Sequence, residues 1–232
     1  MKLGLDQNGD WKMSISLGES PQPELIYKGA EAEIYLELWH GELVIRKSRI
    51  AKPYRIAELD EAIRRSRTSH EATMMHEVRK LGVPVPTILH IDPETSTLIM
   101  EYIEGPTLKE ELYKLPMREK QSQCNELGRI LGLMHQGGVV HGDLTISNVL
   151  SQDHKLFMID FGLGEFSDEL EDRGVDLVLL NRVIKSTHYS FHIALFKSFL
   201  NGYAKIVGKI GCLETLQKMR DIERRGRYIE RA

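Results

Sequence analysis

The stretch His141-Gly142-Asp143-Leu144-Thr145-Ile146-Ser147-Asn148, followed ten residues later by Ile159-Asp160-Phe161-Gly162, decides the reading of this chain. An acid, Asp143, stands five residues before an amide, Asn148, and a second acid, Asp160, stands seventeen residues after the first. That order suits metal-assisted phosphoryl transfer. One acid takes or orients a hydroxyl proton, and the amide and second carboxylate supply hard oxygen donors for Mg2+. Singly, each residue is ordinary loop punctuation, since Asp, Asn and Gly all favour turns and caps. Jointly, they come with two apolar runs, Val149-Leu150 and Leu156-Phe157-Met158-Ile159, flanking a hairpin turn at Ser151-Gln152-Asp153-His154. The shared spacing and context favour the chemical reading over coincidence.

Such a site needs a lysine on an earlier strand to hold nucleotide phosphates. Leu43-Val44-Ile45-Arg46-Lys47 offers Lys47 at the end of an apolar run, with Arg46 and Arg49 as competitors. A partner carboxylate belongs on a following helix, and residues 57–81 are rich in helix formers with Leu59, Ile63, Met74, Val78 and Leu81 as apolar positions. Glu71 is the expected partner, against Glu61 and Glu77; a solvated helix face explains any one of them equally well. Upstream, residues 27–36 read as strand, turn, strand, where a loop over the phosphates belongs. Only Gly29 remains of a three-glycine pattern, so an ordinary hairpin explains the composition as well.

Several further motifs resemble those of one family. They are Lys-Gly-Ala-Glu-Ala at 28–32, Arg-Ile-Ala-Lys-Pro-Tyr-Arg at 49–55, Arg67-Thr68-Ser69-His70-Glu71-Ala72 and Met100-Glu101-Tyr102-Ile103-Glu104-Gly105. With them stand His141-Gly142-Asp143-Leu144-Thr145, Gly174-Val175-Asp176-Leu177, Ser186-Thr187-His188 and Arg225-Gly226-Arg227. Together, from about Leu25 onward, they resemble the PRPK-type small atypical kinases of the KEOPS/EKC complex. That resemblance implies a Ser/Thr protein kinase that binds ATP and Mg2+, autophosphorylates and acts mainly as an ATPase. Its place is beside the threonylcarbamoyl transferase subunit and the other complex subunits, with tRNA met through the complex. It implies a Lys47–Glu71 ion pair, Asp143 as base or water-orienting acid, and metal on Asn148 and Asp160. Met100 backs the adenine pocket, and the backbones of Glu101 and Ile103 meet the adenine edge. The chain departs from the family at Ala51, where Pro is usual, and at Arg46, a charge directly before the lysine.

The expected fold is α+β: a minimal bilobal protein-kinase-like architecture with a β-rich N-lobe carrying one main helix and a small helical C-lobe. The boundary is drawn at 1–104 and 105–232, with 1–24 a variable extension or extra hairpin and a hinge at 101–105. Strands are expected at about 11–17, 24–28, 32–38, 42–47, 87–92 and 97–102. Helices are expected at 58–80, 107–113, 118–136, 172–185, 190–207 and 212–224. A chain of 232 residues buries a sizeable core or two small lobes. No apolar run approaches the roughly 20 residues that span a bilayer, and the first residues do not read as a signal peptide, so a cytoplasmic location and no membrane partner are expected. Cys124 and Cys212 lie far apart without ligand-spaced neighbours and read as plain thiols.

Net charge is only -3, yet cations cluster at Arg46, Lys47, Arg49, Lys52 and Arg55, at Arg64, Arg65 and Arg67, and at Arg220, Arg224, Arg225, Arg227 and Arg231. Solvated faces explain most such clusters; with the resemblance, Arg225 and Arg227 are expected to contact tRNA or a partner. Two other function classes share the central motif: small-molecule phosphotransferases of the aminoglycoside or choline type, and modules that bind nucleotide only to regulate a partner. The former carry larger helical C-lobes, and the latter do not need Asp143.

Thirteen residues, 163–175, separate Gly162 from Asp176, and no Ala-Pro-Glu activation segment is written there. Gly142 replaces the Arg that pairs with a phosphorylated activation loop, and Thr145 replaces a phosphate-contacting lysine. Asp176 is expected to anchor the catalytic-loop backbone, or else simply to favour a helix start. ATP turnover should therefore survive phosphatase treatment of the purified protein. Its loss after dephosphorylation contradicts this reading.

Overall fold

The computed structural model describes residues 2–5, 11–14 and 22–229, with side chains for 22–225. The described residues divide into two compact units, the first within Met1–Thr68 and Thr87–Tyr102, the second within Ser69–Pro86 and Ile103–Ala232. The boundary drawn from the sequence at 104 and 105 differs in two respects: residues 69–86 and residues 103–104 group with the second unit. For 69–86 the reason is burial, because Met74, Met75, Val78, Val83 and Val85 are all core side chains.

In the first unit, β1 (Lys2–Leu5) and β2 (Trp11–Ser14) form an antiparallel pair with Lys2 opposite Ser14. Residues 15–17 of the expected first strand lie outside the described residues. The main sheet joins β3 (Glu24–Lys28), β4 (Ala32–Trp39), β5 (Glu42–Arg49), β6 (Ile88–Asp92) and β7 (Thr97–Glu101), antiparallel throughout, in the order β3-β4-β5-β7-β6. Lys47 pairs with Ile34 of β4 and Leu98 of β7, in the middle of the sheet. Helix α1 (Ala57–Lys80) leaves β5 and carries acids in its first turn and bases in its last, matching its dipole.

The second unit holds α2 (Leu108–Lys114), α3 (Met117–Gln136), the strands β8 (Val139–Val140), β9 (Val149–Gln152), β10 (Lys155–Met158) and β11 (Glu165–Phe166), and helices α4 (Leu170–Thr187) and α5 (His192–Ile229). Thr107 caps α2 through a reciprocal bond set with Glu110, which fixes where the helix begins. The hairpin turn expected at 151–154 is tighter in the structure. Strand pairing runs from Val149↔Met158 to Gln152↔Lys155, and only Asp153 (φ 50°) and His154 (φ 63°) turn the chain. Positive φ at both central residues matches the right-handed twist of the flanking strands. The two helices expected at 190–207 and 212–224 are one element interrupted at a single residue, Gly208, whose φ of 79° and ψ of 163° break the helix without a loop.

Glycines set the spacing of α3 and α5. A Cβ on Gly128 stands 1.9 Å from the Phe199 carbonyl oxygen, and one on Gly202 stands 1.8 Å from the Asn125 carbonyl oxygen. The backbones therefore touch, and Asn125 spans them, its Nδ2 donating to the Ser198 carbonyl at 2.9 Å. This approach delivers Tyr203 of α5, fully buried, to His135 of α3. Gly202→Ala must push the helices apart and should cost about 2–3 kcal/mol. Thermal unfolding should fall by about 5–10 °C; an unchanged midpoint contradicts this packing.

Candidate active site

Asp176 organises the second unit's loops. Its Oδ2 accepts from the His141 backbone N–H at 2.8 Å and from His135 Nε2 at 3.2 Å, and its Oδ1 accepts from the Gly142 N–H at 2.9 Å. Asp176, His135 and His141 are all fully buried, where an unmet donor costs about 1–3 kcal/mol. The carboxylate thus holds two consecutive backbone amides just before Asp143. His135 reaches further back: its Nδ1 meets the Tyr203 hydroxyl at 2.8 Å. With the His135 Nε2–H given to Asp176, Nδ1 is left as the ring's acceptor, and the Tyr203 hydroxyl donates to it. Burial pushes the Tyr203 phenol up to about 12, which keeps that donor protonated.

The loop that follows is pinned on both sides. Gly142 has φ 75°, and a Cβ there stands 2.1 Å from the Leu163 carbonyl oxygen, so the position that holds Arg elsewhere is closed to any side chain. His141 Nδ1 accepts from the Asp143 N–H at 3.4 Å and its Nε2 donates to the Ile159 carbonyl at 3.1 Å, so one ring ties the loop to the segment entering Asp160. Leu144 and Ile146 are fully buried, and the Ile146 carbonyl accepts from Lys109 N–H at 3.0 Å. Between these anchors, Asp143 is half-buried.

Asn148 Nδ2 donates to the Asp143 carbonyl at 2.9 Å and to Asp143 Oδ2 at 3.2 Å. Its backbone carbonyl accepts from the Ile159 N–H at 3.0 Å, one rung beyond the β9–β10 pairing. The hairpin therefore puts Asn148 beside the residue preceding Asp160, although eleven positions of sequence separate Asn148 from Ile159. Asp160 is exposed with φ 62°, a left-handed conformation that Asp tolerates better than most residues. Next to it, Phe161 is fully buried against the His141 ring, centroids 4.8 Å apart.

This donor set fits Mg2+. With Asn148 Nδ2 directed at Asp143, its Oδ1 is left as an oxygen donor, and Asp160 adds a carboxylate. Mg2+ is held by such sparse oxygen ligation because it keeps several waters and takes substrate phosphates. Among the described residues no cluster of three or more His, Cys, Asp or Glu side chains offers an all-protein metal cage.

The segment after Gly162 is short and tied down. His70 Nε2 meets the Gly164 carbonyl at 2.6 Å, β11 pairs with β8, and Ser167 N–H donates to the Gly138 carbonyl at 2.9 Å before α4 begins. His70 stands in the sequence only as part of the 67–72 motif with no role of its own, and the Tyr203–His135 pair has no signature beyond lying in apolar helical segments. Glu71, one position on, is buried in the second unit at 2% exposure, whereas Glu61 is exposed and Glu77 pairs with Lys80 at 2.7 Å. Ile103 is buried in this unit too.

The first unit holds the other expected residues. Lys47 is buried at 8% exposure, and its competitors are engaged elsewhere. Arg46, on the opposite face of β5, bonds Glu37 Oε2 at 2.8 Å and lies over the Tyr35 ring at 4.1 Å; Arg49 lies 3.8 Å from Glu31. The β3–β4 turn contains Gly29, whose N–H donates to the Ala32 carbonyl at 2.9 Å. Met100 is buried in β7, and Glu101 Oε2 accepts from the Thr87 N–H at 2.9 Å and hydroxyl at 2.7 Å. Arg225 is exposed and bonds Glu171, which also takes Lys218 at 3.1 Å; those two cations hold the Glu171 carboxyl below its usual range. The Arg227 side chain lies outside the described residues.

Comparison with known proteins gives this geometry its context. The RIO domain family matches residues 46–163. The KEOPS complex subunit Bud32 of Pyrococcus abyssi is 46% identical over 90% of this chain and 98% of its own length. The chain belongs to the Bud32 family of RIO-domain proteins. Two proteins named probable bifunctional tRNA threonylcarbamoyladenosine biosynthesis protein are also similar: 38% identical over 95% of this chain in Methanothermobacter thermautotrophicus and 40% over 88% in Methanococcus maripaludis. The chain spans only 39% and 36% of those two. In fold it is similar to the Rio2 kinase of Chaetomium thermophilum, solved as an ADP/Mg2+-phosphoaspartate complex. The TM-score is 0.60 at 14% identity, covering 85% of this chain and 70% of that one. The architecture is that of an atypical kinase or ATPase, an antiparallel sheet followed by a helical C-terminal part. No helix among the described residues is long and apolar enough to cross a membrane.

Replacing Asp176 by Asn turns one acceptor oxygen into a donor facing backbone N–H groups. Asp176→Asn should lose about 1–3 kcal/mol of stability and at least about tenfold in ATP turnover. Tyr203→Phe, which leaves the carboxylate contacts intact, should cost about 1 kcal/mol and keep turnover within about threefold. Thermal unfolding and phosphate release measure both; equal turnover in Asp176→Asn and wild type contradicts the anchoring role.

Proposed function

We propose that this chain is a Mg2+-dependent, ATP-using atypical Ser/Thr kinase and ATPase that supports threonylcarbamoyladenosine formation in tRNA as a KEOPS subunit. The observation that carries the proposal is Asn148, whose side-chain nitrogen grips Asp143 and leaves Oδ1 as an oxygen donor, while its backbone carbonyl bonds the Ile159 N–H directly before Asp160. Asp143 is then fixed as the acid that receives or orients the attacking O–H, and Asn148 with Asp160 holds Mg2+. Bound there, the metal neutralises charge on the phosphate oxygens as it builds up.

Lys47 and Glu71 complete the site in this proposal as an ion pair. Both are buried, and a buried cation and a buried carboxylate each need a partner of opposite sign. Met100 and the backbones of Glu101 and Ile103 receive adenine, and the Gly29 turn covers the phosphates. The proposed partners are a threonylcarbamoyl transferase subunit, other KEOPS subunits and tRNA, in the cytoplasm, with Arg225 and Arg227 as candidate tRNA or partner contacts; relatives named as a KEOPS subunit and as tRNA threonylcarbamoyladenosine biosynthesis proteins support this reading.

Water is the favoured acceptor. Thr145 leaves out one contact to a transferred phosphate, and the tied-down segment at 163–169 offers no docking loop for a peptide. The test follows the ATP γ-phosphate with wild type and Asp160→Ala, alone and with the transferase subunit and tRNA. Inorganic phosphate should rise with partner and tRNA and fall by at least about a hundredfold in Asp160→Ala. Phosphate accumulating on protein assigns kinase action as the main activity. Turnover that persists in Asp160→Ala sinks the proposal.

A further inference from the structure

Two cationic stretches that are separate in sequence, one at 49–55 and one at 64–67, meet in the first unit around a single shallow cavity. Arg49, Lys52, Arg55, Arg64 and Arg67 line it together with Glu31, and Asp60 lies behind. Asp60, 3% exposed, takes Arg64 Nε at 2.7 Å, Arg55 Nη1 at 3.4 Å and the Lys52 N–H at 3.3 Å. Glu31 takes Arg67 and Arg49, and Lys52 Nζ donates to the Ala30 carbonyl. Among the described residues, these five cations and two carboxylates give an excess of three positive charges around one concavity.

Stabilising the loop does not require that excess, since two carboxylates need only two cations. What the carboxylates achieve is order. Arginine side chains lose much rotamer freedom on binding, and those already held by Glu31 and Asp60 have lost part of it beforehand. Four of the five cations are arginines, whose planar forks match phosphate oxygens two at a time. At the rim, Tyr54 is 76% exposed with the Arg55 guanidinium 5.5 Å from its ring centre, an open aromatic face beside a cation. Ordered arginines with an exposed ring among them present what a polynucleotide offers in return: phosphates at the backbone and a flat base to stack.

We propose that this surface, centred on Arg49, Lys52, Tyr54, Arg55 and Arg67, binds the RNA backbone, with Tyr54 stacking on an unpaired base. The proposal deepens the tRNA role put forward above and rests on it for the identity of the RNA. It adds a contact on the first unit distinct from Arg225 and Arg227.

The test measures binding of a tRNA transcript to the full chain by fluorescence anisotropy across a salt series, with ATP turnover followed in parallel. Tyr54→Ala touches none of the ion pairs, and should weaken binding about fivefold or more. Adding Lys52→Glu should lower affinity at least about tenfold in total and reduce the log–log salt slope by about one to two. Lys209→Glu, an exposed cation on α5, should stay within about twofold. Both surface variants should keep wild-type ATP turnover. Wild-type affinity and slope in them overturn the proposal, as does a wild type that shows no salt-dependent tRNA binding. Competition by an acidic peptide as effective as tRNA at equal charge also overturns it and assigns the surface to a protein. Failure of ATP turnover in the wild type counts against the proposed enzymatic function and leaves this readout standing.

Discussion

The second unit depends on one buried carboxylate. Asp176 comes from α4, yet its oxygens satisfy the amides of His141 and Gly142 and the ring of His135. A carboxylate without such donors is too costly to keep in an interior, and two adjacent buried amides without such an acceptor are nearly as unfavourable. Each side therefore requires the other, and the loop entering Asp143 has one conformation in which both are met. The support extends outward. Gly128 and Gly202 bring α5 against α3, which places Tyr203 on His135, which in turn meets Asp176.

From that fixed entry, chemistry is set by short-range geometry. Gly142 turns the chain at positive φ against the Leu163 carbonyl, so Asp143 follows at a defined angle. Asn148 closes the loop by holding Asp143, and the β9–β10 hairpin returns the chain so that Asp160 follows a residue bonded to Asn148. The acid and the two oxygen donors are placed by backbone and amide contacts rather than by long flexible side chains. Groups held this way need little rearrangement when charge develops on a phosphate.

Much of the candidate site is legible in the sequence because its residues lie close together in it. Asp143, Asn148 and Asp160 share one loop and one hairpin, whose turn residues and flanking apolar runs announce themselves. The role of Asp176 was readable as one of two options, and its bonds to two loop amides decide for the anchor. The alternatives Arg46 and Arg49 separated only in three dimensions, since strand alternation and the positions of Glu37 and Glu31 are not visible in a run of basic residues. Neither the His135–Tyr203 contact, spanning 68 positions, nor the meeting of the two arginine groups leaves a local pattern. The four-residue gap expected at 208–211 shrinks to the single residue Gly208, because glycine marks a stop without saying how brief it is.

In the proposed mechanism, Asn148 and Asp160 share one metal ion beside Asp143. The most direct measurement is a crystal structure with Mn2+ and a non-hydrolysable ATP analogue, with the metal located by its anomalous signal. A single strong site is expected, with Asn148 Oδ1 and an Asp160 oxygen as its protein ligands at about 2.0–2.3 Å. A metal bound through other side chains, with Asn148 and Asp160 both outside its coordination sphere, would contradict it.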